Sequence, residues 1–98
     1  MADFNKLINS DRPVIVDFFA DWCLPSKEMD PVLKEVVSEI GDKAKVLRVN
    51  IDNNWPAVLK YKVTTVPTVI IFKRGEIWWK NTGITSANKL LDIVNLIA

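Results

Sequence analysis

Apolar positions along the chain recur in two spacings, one helical and one extended. Asp3 is placed to cap a short helix in which Phe4, Leu7 and Ile8 fall at i, i+3 and i+4, and Asp11-Arg12-Pro13 then breaks it. Val14-Ile15-Val16-Asp17-Phe18-Phe19-Ala20 is β-branched and aromatic on both faces, the pattern of a central strand covered on both sides. Its one polar member is Asp17. From Leu24 or Pro25 to Ile40 the spacing turns helical, with Met29, Leu33, Val36, Val37 and Ile40 on one side and Gly41 as a stop. Pro31 lies inside this stretch and predicts a kink, since it removes a backbone donor and crowds the preceding turn.

Lys45 to Ile51 reads as a second strand. Asn53-Asn54-Trp55-Pro56 opens another helix, with Pro56 in a first turn where a missing N–H costs little, and it ends near Tyr61-Lys62. Thr68 to Phe72 and Glu76 to Lys80 are strands joined by the hairpin signal Lys73-Arg74-Gly75. Ser86 caps a last helix carrying Leu90, Leu91, Val94 and Ile97. The predicted order is α-β-α-β-α-β-β-α. A helical crossover makes the first two strands parallel, and the hairpin makes the last two antiparallel. The expected class is α/β: a single mixed sheet of about four strands sandwiched by helices.

Composition narrows the function. At 98 residues with 49% hydrophobic positions, the chain fits one domain spanning 1–98 and excludes intrinsic disorder. Thirteen basic and twelve acidic residues leave a net charge of +1 and no like-charged block, so no nucleic-acid partner is expected. With one cysteine and no histidine, multi-ligand zinc sites and Cys–His or Ser–His catalytic pairs are excluded, and no cofactor or metal is expected. The apolar runs are far shorter than the roughly 20 residues that span a bilayer. Met1-Ala2-Asp3-Phe4 offers neither a basic nor an apolar leader, so the expected setting is a soluble, reducing compartment, the cytoplasm, without membrane association.

The chemistry concentrates at Trp22-Cys23-Leu24-Pro25-Ser26-Lys27, between a strand end and a helix start. A helix start presents unpaired backbone N–H groups and the positive end of the dipole, which favour a thiolate over a thiol. The same position equally suits a buried cysteine acting as a small hydrophobe.

That segment resembles the Trp-Cys-Gly-Pro-Cys-Lys motif of the thioredoxin family. The likeness continues through Val14 to Ala20, Pro31, Val49-Asn50-Ile51-Asp52, Val66-Pro67-Thr68, Phe72-Lys73-Arg74-Gly75-Glu76 and Gly83, and it covers nearly the whole chain. A strand that many members carry before their first helix is missing from the pattern. The resemblance implies a thiol–disulfide oxidoreductase, a protein disulfide reductase of cell redox homeostasis. Its partners would be disulfide-containing proteins and, as electron donor, the flavoprotein thioredoxin reductase.

By the same resemblance, Cys23 matches the nucleophile that forms a mixed disulfide with substrate. Ser26 stands at the resolving cysteine's position. Pro67 matches the family's cis-proline beside the nucleophile, although alone it reads as an ordinary trans proline leading a strand. Asp17 matches a buried acid that assists proton transfer, and its place between Val16 and Phe18 fits burial. Arg48 stands where a lysine usually lies near that acid, and reads equally as a solvent-facing strand cation. Trp22, Leu24, Pro25, Val66, Gly83 and Ile84 fall on the surface where substrates rest. Trp22 alone also fits a half-buried core aromatic. Trp55, Trp78 and Trp79 carry no site role, and strand alternation sends one of Trp78 and Trp79 inward.

Two departures matter. Leu24 replaces a glycine in the stretch that tunes redox behaviour. Ser26 removes the thiol that would release the mixed disulfide, so this form is expected to capture substrates without turning over. A deliberate Cys→Ser exchange fits the retained dithiol surroundings; a natural monothiol member finished by an external thiol is the other origin. A non-redox binding scaffold, or a monothiol carrier of glutathione or an iron–sulfur cluster, would be the alternative functions. A monomer is expected, with a dimer bridged through Cys23 as the other state.

Overall fold

The computed structural model describes residues 4–98, so the Asp3 cap lies outside the described residues. Strand β1 (Val14–Phe19) pairs in parallel with β2 (Lys45–Asn50) and antiparallel with β3 (Thr68–Lys73). Strand β4 (Glu76–Thr82) completes the order β2-β1-β3-β4. The mixed four-stranded sheet is the expected one. β1 and β3, rich in Val, Ile and Phe, are inner strands and are buried almost throughout, whereas the edge strands are more exposed.

Alternation along the inner strands feeds two cores. Val14, Val16, Phe18, Ile70 and Phe72 face α1 (Phe4–Ile8) and α4 (Trp55–Lys60). Ile15, Val69 and Ile71 face α3 (Met29–Ile40) and α5 (Ala87–Ile97), meeting Met29, Leu33, Val36, Leu90 and Val94. In the first core the Phe72 ring meets Tyr61 edge-on at 5.0 Å and Phe4 at 6.0 Å. The capping expectation for α5 holds: Ser86 Oγ accepts from the Lys89 N–H at 3.1 Å.

Four local expectations are corrected. The long helix breaks at Glu28, between α2 (Leu24–Lys27) and α3, rather than at Pro31. Pro31 has no N–H to offer the Lys27 carbonyl and its ring crowds that group, so the disturbance lands upstream. Val37 is exposed, because the buried stripe of α3 is narrower than its apolar stripe. Ile51 leaves the second strand and opens a 3-10 turn with Asp52 and Asn53. The last strand runs on to Thr82 and carries a bulge, with Ile71 opposite Trp79 but Phe72 opposite Ile77. The bulge leaves Trp78 exposed while Trp79 packs on the second core, in line with the expected division between them.

The hairpin turns on Arg74 and Gly75, both at positive φ (54° and 80°), the geometry that continues the sheet's twist. Beside the bulge, Lys80 Nζ donates to the carbonyls of Tyr61 and Lys62 at 3.0 and 3.2 Å. None of the described helices is long and apolar enough to cross a membrane.

Candidate functional site

Cys23 follows the end of β1 and sets the start of α2. Its N–H bonds to the Ala20 carbonyl at 3.2 Å, and its own carbonyl accepts from Lys27 N–H at 3.3 Å. Its backbone is extended (φ −110°, ψ 111°), as a residue leading into a helix requires. The side chain is half-buried against the first core, and Sγ lies 3.5 Å from the Val66 carbonyl. Neither reading of Cys23 from its position alone is complete: the residue packs on apolar neighbours yet is only partly buried.

The Val66–Pro67 peptide bond is cis. Two hydrogen bonds fix this loop: Thr68 Oγ1 donates to the Thr65 carbonyl at 2.7 Å, and Gly83 N–H donates to the Pro67 carbonyl at 2.8 Å. The second brings Gly83 and Ile84, remote in sequence, beside Pro67. Gly83 sits at φ 95°, a region side chains disfavour. Cys23, Val66, Pro67 and Gly83 are thus linked by direct contacts.

Around the sulfur the surface is apolar and open. Trp22 is 67% exposed, Leu24 71% and Ile84 50%, and Pro25 is exposed as well. Trp22 is therefore not a core aromatic. Its Nε1 donates to Asp52 Oδ2 at 3.0 Å, which fixes the ring's direction. A groove of ≈ 250 Å³ runs between Trp22 and Trp55, floored by Val58 and Val63 and bounded by Thr65 and Val66. Trp55 was given no role from sequence, yet it lies on this groove and is 54% exposed. Its position just before Pro56, at a helix start, was the available signal. A larger hollow of ≈ 540 Å³ on the other side of α4, between Phe4, Lys60 and Tyr61, contains neither the thiol nor the buried acid, so size does not locate the site.

Ser26 is fully buried, and its Oγ accepts the Ala20 N–H at 3.1 Å. One turn of α2 carries it from the partly buried Cys23 into the interior, where its hydroxyl is out of contact with solvent.

Asp17 is also fully buried, on the sheet face turned to α3. Desolvation pushes its carboxyl up to about 6 from 3.8, against the opposing pull of Arg48, and the Asp30 charge adds a smaller upward push. Arg48, its register partner on β2, donates from Nε to Asp17 Oδ2 at 3.2 Å, while Asp17 Oδ1 has no hydrogen-bond partner. The other arm, Nη2, reaches Asp30 Oδ1 at 2.7 Å. That contact is short but not aligned as a hydrogen bond, so charge alone holds it. The guanidinium also stacks on Phe19, 4.4 Å from the ring centroid. Of the two readings of Arg48, the one near the acid is what the structure places. Among the described residues no group of acidic, Cys or His side chains is arranged to hold a metal ion.

The thioredoxin family model matches residues 1–96. A thioredoxin from Rickettsia prowazekii is 42% identical over 91 residues, covering 93% of this chain and 87% of the relative. A thioredoxin from Haemophilus influenzae is 34% identical over 95 residues, covering 96% of this chain and 89% of the relative. One from Bacillus subtilis is 37% identical over 86 residues, covering 88% of this chain and 83% of the relative.

Proposed function

The chain belongs to the thioredoxin family, whose members are thiol–disulfide oxidoreductases acting on protein disulfides, and from that premise we propose that it captures protein disulfides through Cys23 and holds them. The observation that carries this reading is the placement of Cys23 Sγ at the head of α2, 3.5 Å from the Val66 carbonyl, amid an exposed apolar rim. The whole chain, 1–98, acts as one such domain in the cytoplasm, and its partners are cystine-bearing proteins and a thioredoxin reductase.

In the capture step the Cys23 thiolate attacks one sulfur of the substrate cystine. The S–S bond breaks, a mixed disulfide forms, and the second substrate sulfur leaves as a thiolate that takes a proton from solvent. Trp22, Leu24, Pro25, Val66, Gly83 and Ile84 cradle the polypeptide flanking that cystine. Release needs a second thiolate. Ser26 occupies its position but supplies a hydroxyl, far too weakly acidic and nucleophilic, so the adduct persists until an external thiol attacks it. Asp17 is the proton acceptor that a resolving thiol at position 26 would use; with serine there, that role is idle.

Ser26→Cys tests the reading. The variant is expected to reduce a protein disulfide such as insulin's catalytically, given a reductant, while the parent accumulates a covalent adduct visible by mass spectrometry and lost on adding dithiothreitol. A folded Ser26→Cys chain without turnover, together with a parent that forms no adduct, would leave a binding scaffold as the function.

A further inference from the structure

The buried carboxyl of Asp17 is paired with the part-exposed guanidinium of Arg48, and that guanidinium is shared with a second acid. Nε serves Asp17 Oδ2 at 3.2 Å and Nη2 serves Asp30 Oδ1 at 2.7 Å. Both Arg48 and Asp30 line a surface hollow of ≈ 370 Å³ with Leu33, Lys34, Val37 and Val46. Asp30 sits in the first turn of α3, just before Pro31, and meets Arg48 of β2 across that hollow. We propose that Asp30 is a positioning residue for Asp17: it draws one arm of Arg48 outward and so withholds part of that cation's charge and hydrogen bonding from the buried acid.

The electrostatics give a definite sign. A cation beside a carboxyl favours the carboxylate, and a second anion on the same cation weakens that preference while repelling the carboxylate directly. Both effects of Asp30 therefore help Asp17 keep its proton. The charged groups around Asp17 are few. β2 contributes Arg48, and α3 contributes Asp30, with Lys34 on the same hollow. The β3 residues alongside, Thr68 to Ile70, carry no charge; Lys27 and Glu28 near α2, and Lys89 and Asp92 on α5, are exposed. Withholding the cation serves the chemistry only where a resolving thiol stands at position 26 and passes its proton to Asp17, and to that extent the inference rests on the function proposed above. The titration itself does not depend on turnover.

The test follows the Asp17 side-chain carboxyl by carbon NMR across pH in the chain as it stands, with Ser26 in place. In Asp30→Asn the titration midpoint is expected to fall, by about threefold or more in proton affinity, the scale of a partly exposed ion pair. Asp30→Glu is expected to keep the midpoint near the parent's. Adding Asp30→Asn to an Arg48→Met background is expected to shift it less than in the parent, because the partner that transmits the effect is gone. A midpoint that stays put in Asp30→Asn overturns the proposal. One that rises overturns it too, since Asp30 would then be holding Arg48 onto Asp17 rather than drawing it away. Ser26→Cys turnover, measured separately, distinguishes failure of this inference from failure of the redox reading.

Discussion

Asp17 and Arg48 are direct register partners on adjacent parallel strands, and their side chains meet at 3.2 Å, one fully buried and the other 38% exposed. An acid in that setting is only half compensated: one oxygen is paired, the other has no partner. The pairing is too weak to overcome burial, and the carboxyl stays above its usual range, at about 6.

The raised value makes stability depend on pH with an unusual sign for an aspartate. Between 3.8 and about 6 the folded state binds the proton that the unfolded chain has released. Asp17 thus contributes stability that is complete below about 4 and is lost as pH climbs through about 6, amounting to about 3 kcal/mol if the whole shift is realised. Asp17→Asn, which cannot ionise, is expected to be the more stable form at pH 7.5 and to lose this slope. Denaturant unfolding of both chains at pH 4 and 7.5 checks it, and a parent that gains stability relative to Asp17→Asn as pH rises would contradict it.

Trp22 is held at the rim by Asp52 rather than by the core, so its removal is expected to damage recognition more than folding. Trp22→Ala should slow mixed-disulfide formation with a protein substrate about tenfold, corresponding to about 1.4 kcal/mol of lost contact. The rate with a small aromatic disulfide reagent should change little. Equal slowing of both would assign Trp22 to the sulfur's reactivity instead of to docking.

Phe72 belongs to the core facing α1 and α4, fully buried and in edge contact with Tyr61 and Phe4. Phe72→Ala should cost about 3–5 kcal/mol, the range for emptying a large aromatic site. The site lies on the sheet face away from Asp17, so the slope of stability with pH should persist in the variant. Chemical denaturation at two pH values reads both quantities.

Most of the architecture was legible because local signals and tertiary burial agree here. The run Val14 to Phe19 has no hydrophilic face to spare, and its strand is covered on both sides. Ser86 precedes a clean apolar stripe, and it caps the helix. Asp17 was conspicuous as the single acid in an apolar strand. Cys23 stood out by its place between a strand end and a helix start, but the roles of Ser26 and Pro67 were legible only through resemblance, since nothing in the spacing from 26 to 67 announces that the two segments touch. Asp30 and Trp55 went unread for a related reason. Asp30 acts on a cation of the neighbouring edge strand, Arg48, and only the packing of α3 on the sheet brings the two together. Trp55 matters because of Trp22, and the groove between them exists only once the two loops are docked. Val37 misled because apolar spacing states which residues could be covered, not how wide the neighbouring surface is.

The bulged last strand has a consequence for how the molecule behaves in a crowd. An outermost strand with bare amides invites a neighbour to add itself, the first event in fibril growth. Here the irregularity at Trp78 spoils the even spacing a newcomer would need, and the Lys80 ammonium, pinned to Tyr61 and Lys62, sets a charge close to that margin. Concentrated solutions should accordingly resist ribbon-like polymerisation along this flank, despite the indole displayed there.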